Sequence, residues 1–120
     1  MKTFVILCCS LFFIFSCELE SEDKSCATFD MRQCNGNPWL VDNVIPSSEE
    51  EHAQQLEDYL EGRGLIIKSV SVDNSFHEIV CEACFNCPQG PRYRVELAAQ
   101  DTSGLKALDL FSLEIFKCLH

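Results

Sequence analysis

The chain has 120 residues, 47% of them hydrophobic, and sets 9 basic against 19 acidic side chains for a formal net charge of −10 at pH 7. A balance this acidic disfavours nucleic acid as a partner and direct docking on anionic lipid, because both carry the same sign of charge. Nine cysteines in so short a chain point to an oxidising compartment, where disulfides offset a modest core.

Met1-Lys2 supplies a short positive end, and Thr3 to Phe15 is almost entirely Phe, Val, Ile, Leu and Cys. A permanent membrane span takes roughly 20 apolar residues. This run is shorter and has the build of a secretory signal, so residues 1–16 are set apart from the fold as a signal peptide. Ile14-Phe15-Ser16-Cys17 resembles a bacterial lipobox, with an aliphatic residue at −3 and a small one at −1 before a cysteine that receives a diacylglyceryl group. Phe15, at −2, is larger than the usual residue there. The cysteine count agrees with that resemblance. Cys8 and Cys9 leave with the signal, and the seven that remain do not all pair within one chain; lipidation of Cys17 leaves an even six, Cys26, Cys34, Cys81, Cys84, Cys87 and Cys118. At about 0.8 kcal/mol per buried methylene, two or three acyl chains anchor a protein without a transmembrane helix. The alternative is an ordinary signal peptide cut near Ser16, with Cys17 entering a disulfide.

Glu18, Glu20, Glu22 and Asp23 follow at once. Like charges in a block repel and stay solvated, so residues 17–25 read as the lipidated cysteine and an acidic tether. An acidic patch just after the cysteine also resembles the export tag of Bacteroidota lipoproteins displayed on the cell surface. The first 25 residues together resemble a small Bacteroidota-type bacterial lipoprotein. That resemblance implies an exported protein on the outer membrane or cell surface, held to the membrane through its lipid, and it brings no activity with it.

Residues 26–120 are enough for one small domain. Asn37-Pro38-Trp39-Leu40 has the grammar of a helical first turn, with Asn as N-cap and Pro at the first helical position, and Trp39 is expected in the core. Ser48-Glu49-Glu50-Glu51 is a capping box, and Ala53, Leu56, Tyr59 and Leu60 follow at helical spacing up to a stop at Gly62 or Gly64, which predicts a helix over 48–62. Leu65 to Val72 is β-branched and ends at Asp73-Asn74-Ser75, read as a hairpin turn into a return strand over 76–83. Arg92 to Ala99 alternates, with Tyr93, Val95, Leu97 and Ala99 on one face, as a half-buried antiparallel strand does. Asp101-Thr102-Ser103 can cap a short second helix carrying Leu105 and Leu108, and Ser112 to Cys118 reads as a last strand. The expected class is α+β: a small antiparallel sheet of about four strands packed by one main helix and a short second one, stabilised by disulfides.

Cys81, Cys84 and Cys87, at i, i+3 and i+6 and followed by Pro88, are where chemistry is concentrated. The plainest reading is a disulfide cluster with partners among Cys26, Cys34 and Cys118, in which Cys26 and Cys34 close a small local loop and Cys118 joins the cluster region. A metal or iron–sulfur site competes with it: the spacing matches part of a bacterial ferredoxin run but lacks its nearby fourth cysteine, and His77, or Cys118 with His120, could complete a zinc site, but thiolate ligands fare poorly against oxidation in an exported protein. Thiol–disulfide exchange is the third reading; the Pro88-Gln89-Gly90-Pro91 run denies Cys84 the helix N-terminus such chemistry uses. No nucleophile elbow, phosphate-cradling glycine loop, zinc-protease helix or calcium loop occurs. The sequence therefore yields no catalytic residue, cofactor or metal site. It yields the expectation of a non-enzymatic, lipid-anchored accessory or binding module whose protein or small-molecule partner the chain does not name. A freely secreted disulfide-rich ligand or inhibitor is the alternative, and a redox or metal-binding protein built on Cys81, Cys84 and Cys87 the third.

Overall fold

The computed structural model describes residues 23–32, 34, 36–77 and 88–119. Over these the chain runs β1 (Lys24–Arg32), α1 (Glu49–Gly62), β2 (Ile67–His77), β3 (Pro88–Ala98), α2 (Thr102–Lys106) and β4 (Glu114–Lys117), with 3-10 turns at Val41–Asn43 and Ala99–Asp101. The strands form one antiparallel sheet in the order β2-β3-β1-β4, which is the α+β class expected, with one main and one short helix.

The ends of α1 are written in its sequence. Ser48 Oγ accepts a hydrogen bond from the Glu51 N–H at 3.2 Å. Glu51's carboxylate reaches one residue further back than a simple capping box, accepting from the N–H and hydroxyl of Ser47, each at 3.1 Å. At the other end Gly64 takes φ 83°, a left-handed conformation that suits glycine. Its N–H donates to Glu61 O at 2.9 Å and the Leu65 N–H to Leu60 O at 3.2 Å, a Schellman closure that delivers Leu65 to the same core as Leu60. The inner face of the helix buries His52, Leu56 and Leu60; Ala53 and Tyr59 are only half-buried. That face packs across β2 and meets the inward side chains of β3, where Tyr93, Val95 and Leu97 are fully buried as the alternation predicts. Trp39 is buried in the same core.

Several elements differ from expectation. β1 is a strand where none was read, and it is interior, paired with β3 on one side and β4 on the other. Cys26, Ala27, Phe29, Asp30 and Met31 are all buried, so both faces of the strand are covered and its sequence loses the alternation that marks a one-sided strand. Asp73-Asn74-Ser75 does not turn the chain. The Ser75 N–H and hydroxyl bond the Asp73 carboxylate at 3.0 Å each, local turn chemistry that shifts the β2–β3 register between Asp73 and His77 while the strand runs on. Phe76 and His77 therefore belong to β2, and the remainder of the return strand expected over 76–83 lies outside the described residues. Asn37 does not start a helix, because its amide is turned back onto β1. The expected cap of α2 is also diverted: the Asp101 carboxylate accepts from the Ile66 N–H at 2.7 Å, while Leu105 is buried and Leu108 falls beyond the helix. β4 is shorter than expected, since Ser112 takes φ 56° in the turn before it.

The register gives the molecule two poles. At one, Asp23 and Lys24 lead into β1, Ala99 N–H donates to Asp23 O at 2.9 Å, and β4 ends. At the other lie the last residues of β1, the end of β2, the start of β3 and the first turn of α1, the last tied to β2 by the Asn74 N–H donating to Glu49 Oε1 at 3.1 Å. At about 3.3 Å per residue, the nine residues of β1 separate the poles by roughly 25 Å.

Candidate functional site

At the first pole, Cys26 on β1 and Cys118, one residue past β4, form a disulfide across 92 residues of sequence, with their Cα atoms 5.0 Å apart. This overturns the expected Cys26–Cys34 loop. The β1–β4 register sets Cys26 opposite Phe116, which leaves Cys118 beside Cys26, while Cys34 lies beyond the far end of the same strand. Cys34 is itself disulfide-bonded. Its partner is therefore neither Cys26 nor Cys118. Cys17, Cys81, Cys84, Cys87 and His120 lie outside the described residues. The sulfurs of Cys26 and Cys118 approach the Glu96 carboxylate, all ligand atoms falling within 4.8 Å of one another. With both sulfurs joined to each other, neither is a thiolate, and the zinc site considered at Cys118 has lost its ligand.

At the second pole three strands converge on one carboxylate. Asp30, on β1, is only 2% exposed. Arg92 of β3 grips it with a fork, Nε to Oδ1 at 2.8 Å and Nη2 to Oδ2 at 3.1 Å, and His77 of β2 brings Nε2 to 3.0 Å from Oδ1. Burial works to raise the Asp30 carboxyl, but the hydrogen-bonded Arg92 guanidinium and the adjacent His77 imidazole outweigh it and hold it below its ordinary value of 3.8. The same pairing raises the Arg92 guanidinium. Phe76 covers the outer side of that guanidinium, 3.9 Å from ring centroid to Cζ, and meets the His77 ring edge-on at 4.8 Å. The cluster ties β1 to the end of β2 and to β3. His77, weighed as a zinc ligand, faces a carboxylate already shared with an arginine. Asp30 and Arg92 are 62 residues apart, so no local spacing signals the pair.

A second polar group is enclosed in the core. His52, 1% exposed, has Nδ1 at 2.9 Å from the Tyr93 hydroxyl, and that hydroxyl accepts from Trp39 Nε1–H at 3.1 Å and lies 3.8 Å from Met31 Sδ. Phe29 stacks on Tyr93 at 5.2 Å, and Trp39 stands edge-on to both rings. Burial lowers the His52 pKa below 6.5 against the opposing pull of Glu51 and Glu49, and pushes the Tyr93 phenol up to about 12. Enclosed this way, His52 holds α1 to the sheet and is out of reach of a substrate.

The second pole also carries exposed apolar side chains. Val41, Val44 and Ile45 are 62%, 64% and 48% exposed, on a loop bent by Asp42 and Asn43 at φ 55° and 57°. With Phe76, they form one group of exposed apolar side chains; Ile66, Phe116 and Leu119 are exposed at the other pole, where the N-terminal stretch enters the fold. Comparison of the chain with protein-family models, characterised proteins and solved structures finds no match.

Proposed function

We propose that the protein is a lipid-anchored lipoprotein of the bacterial envelope, fixed to the membrane through Cys17, and a non-enzymatic binding or accessory module that meets its partner with the pole far from the anchor. The observation that carries this reading is placement: the N-terminal stretch joins the fold at Lys24, and Val41, Val44, Ile45 and Phe76 form an exposed apolar group at the opposite end of β1, separate from the exposed Ile66, Phe116 and Leu119 beside the point of entry. The lipobox resemblance of Ile14 to Cys17 and the acidic tether support the anchor. A disulfide-bonded fold supports an exported protein, since such bonds persist in oxidising compartments.

The intact mass of the mature protein from its native membrane fraction, after alkylation without reduction, tests the proposal. The expected mass begins at Cys17 and carries acyl chains and no alkyl groups. An unlipidated mass with an alkylated thiol overturns the anchor and moves the reading to a freely secreted ligand or inhibitor.

A further inference from the structure

At the far pole a cleft of about 330 Å³ is lined by Arg32, Asn37, Pro38, Asn43, Leu108 and Asp109, a volume at the lower end of the roughly 300–1,000 Å³ typical of small-molecule pockets. Arg32 is placed there by two devices. The β1–β3 register shifts between Asp30 and Arg32, an irregularity of the kind that re-aims a side chain, and it separates Arg32 from the Asp30–Arg92 lock. Buried Asn37 then fixes the Arg32 backbone from both sides: Oδ1 accepts from the Arg32 N–H at 2.8 Å, and Nδ2 donates to Arg32 O at 3.0 Å and to Cys34 O at 3.3 Å. One amide replaces a missing strand neighbour at this single residue.

The guanidinium lies over the Phe111 ring, 5.4 Å from its centroid, and donates to the backbone oxygen of Asp109 at 3.4 Å. Among the described residues no carboxylate is paired with it, in a chain carrying 19 acidic side chains. Both lining loops bend through non-glycine residues in the left-handed region, Asn43 at φ 57° and Asp109 at φ 51°. Asn and Asp tolerate this region better than other non-glycine residues, so both bends form at little cost.

We infer that this cleft binds a carboxylate attached to a small apolar body, with the fork of Arg32 taking the carboxylate and Pro38 and Leu108 taking the apolar part. Arg suits the task because its planar donors match a carboxylate bidentately. Free organic acids and peptide chain ends share this chemistry. The assignment gives the binding pole of the proposed function a ligand class. Its test uses purified, disulfide-intact protein, so its failure leaves the mass measurement on Cys17 untouched.

The experiment is an amide NMR titration with isovalerate, with its neutral isostere isovaleramide, and with acetyl-leucyl-leucine bearing a free carboxylate. Isovalerate and the peptide are expected to shift the amides of Arg32, Asn37, Asn43 and Asp109, and the tighter of the two identifies the source of the carboxylate. Isovaleramide is expected to bind roughly tenfold or more weakly, and R32Q to lose at least as much affinity for both acids while its spectrum stays dispersed. R32K, which keeps the charge without the fork, falls between. Equal binding of isovalerate and isovaleramide, unchanged affinity in a folded R32Q protein, or no shift with either acid overturns the inference.

Discussion

Asp30 is a buried anion whose partners come from two other strands, so the cost of separating them is set by what is left behind. Arg92→Met strands the carboxylate beside His77 alone. Loss of one partner from a buried pair costs about 3–5 kcal/mol, and because the Arg92 side chain is about a third exposed the expected loss is nearer 2 kcal/mol, read from urea denaturation. The pair also has an acid limit. Asp30 titrates lower in the folded chain than in the unfolded one, so its stabilisation is complete above pH 3.8 and is lost as pH falls below that value toward the folded pKa. His52 acts earlier on the same descent. The unfolded chain takes up a proton as pH drops below 6.5 and the folded chain resists it, so stability declines from 6.5 downward. His52→Gln, which keeps a hydrogen-bonding group near Tyr93 and cannot titrate, is expected to flatten that part of the pH–stability curve. A curve for the variant that parallels the wild type below 6.5 contradicts the role given to His52.

Among the elements, α1 is the one whose ends rest on single residues. Ser48→Ala removes the side-chain acceptor at Glu51 N–H and is expected to cost about 1 kcal/mol. Gly64→Ala, held at φ 83°, is expected to cost about 1–2 kcal/mol in the same thermal or urea unfolding measurement. The helix was legible in the sequence for the same reason that it is sensitive: its caps and its inner stripe are local. β3 was legible because one face is buried and the other wet. β1 was not, because Cys26, Ala27, Phe29, Asp30 and Met31 are enclosed on both sides and the one charge among them is neutralised by an arginine far along the chain. Asp73-Asn74-Ser75 carried a true turn signal, spent on a kink within β2. At the candidate site, Cys26 and Cys118 were recognised as disulfide cysteines, but their pairing depends on strand order, which Cys spacing does not encode. Arg32 gave no signal and Asn37 a misleading one, that of a helix N-cap, since a bulge and a side-chain amide standing in for a strand appear only once the sheet exists.

For the molecule as a whole, the Cys26–Cys118 bond governs how securely the last strand is held. β4 is four residues long and lies at the edge of the sheet, paired only with β1. Closing a loop of this length stabilises by roughly 4–5 kcal/mol in the chain-entropy model. The double variant C26A/C118A is expected to lose a large part of that and to show β4 amides exchanging hydrogen faster than those of β3, measured by native-state exchange. Exchange in β4 that stays as slow as in β3 would show that strand pairing alone retains it. The same bond also has a mechanical consequence. A pull on the N-terminal stretch loads β1 along its axis, where the hydrogen bonds to β3 and β4 lie across the direction of force and resist together in shear. Two residues beyond Lys24 the load reaches Cys26, and from there a covalent link passes it to the opposite end of the chain. A pull on the N-terminal stretch is thereby borne by the middle of the sheet and by β4 together, instead of peeling the first strand away.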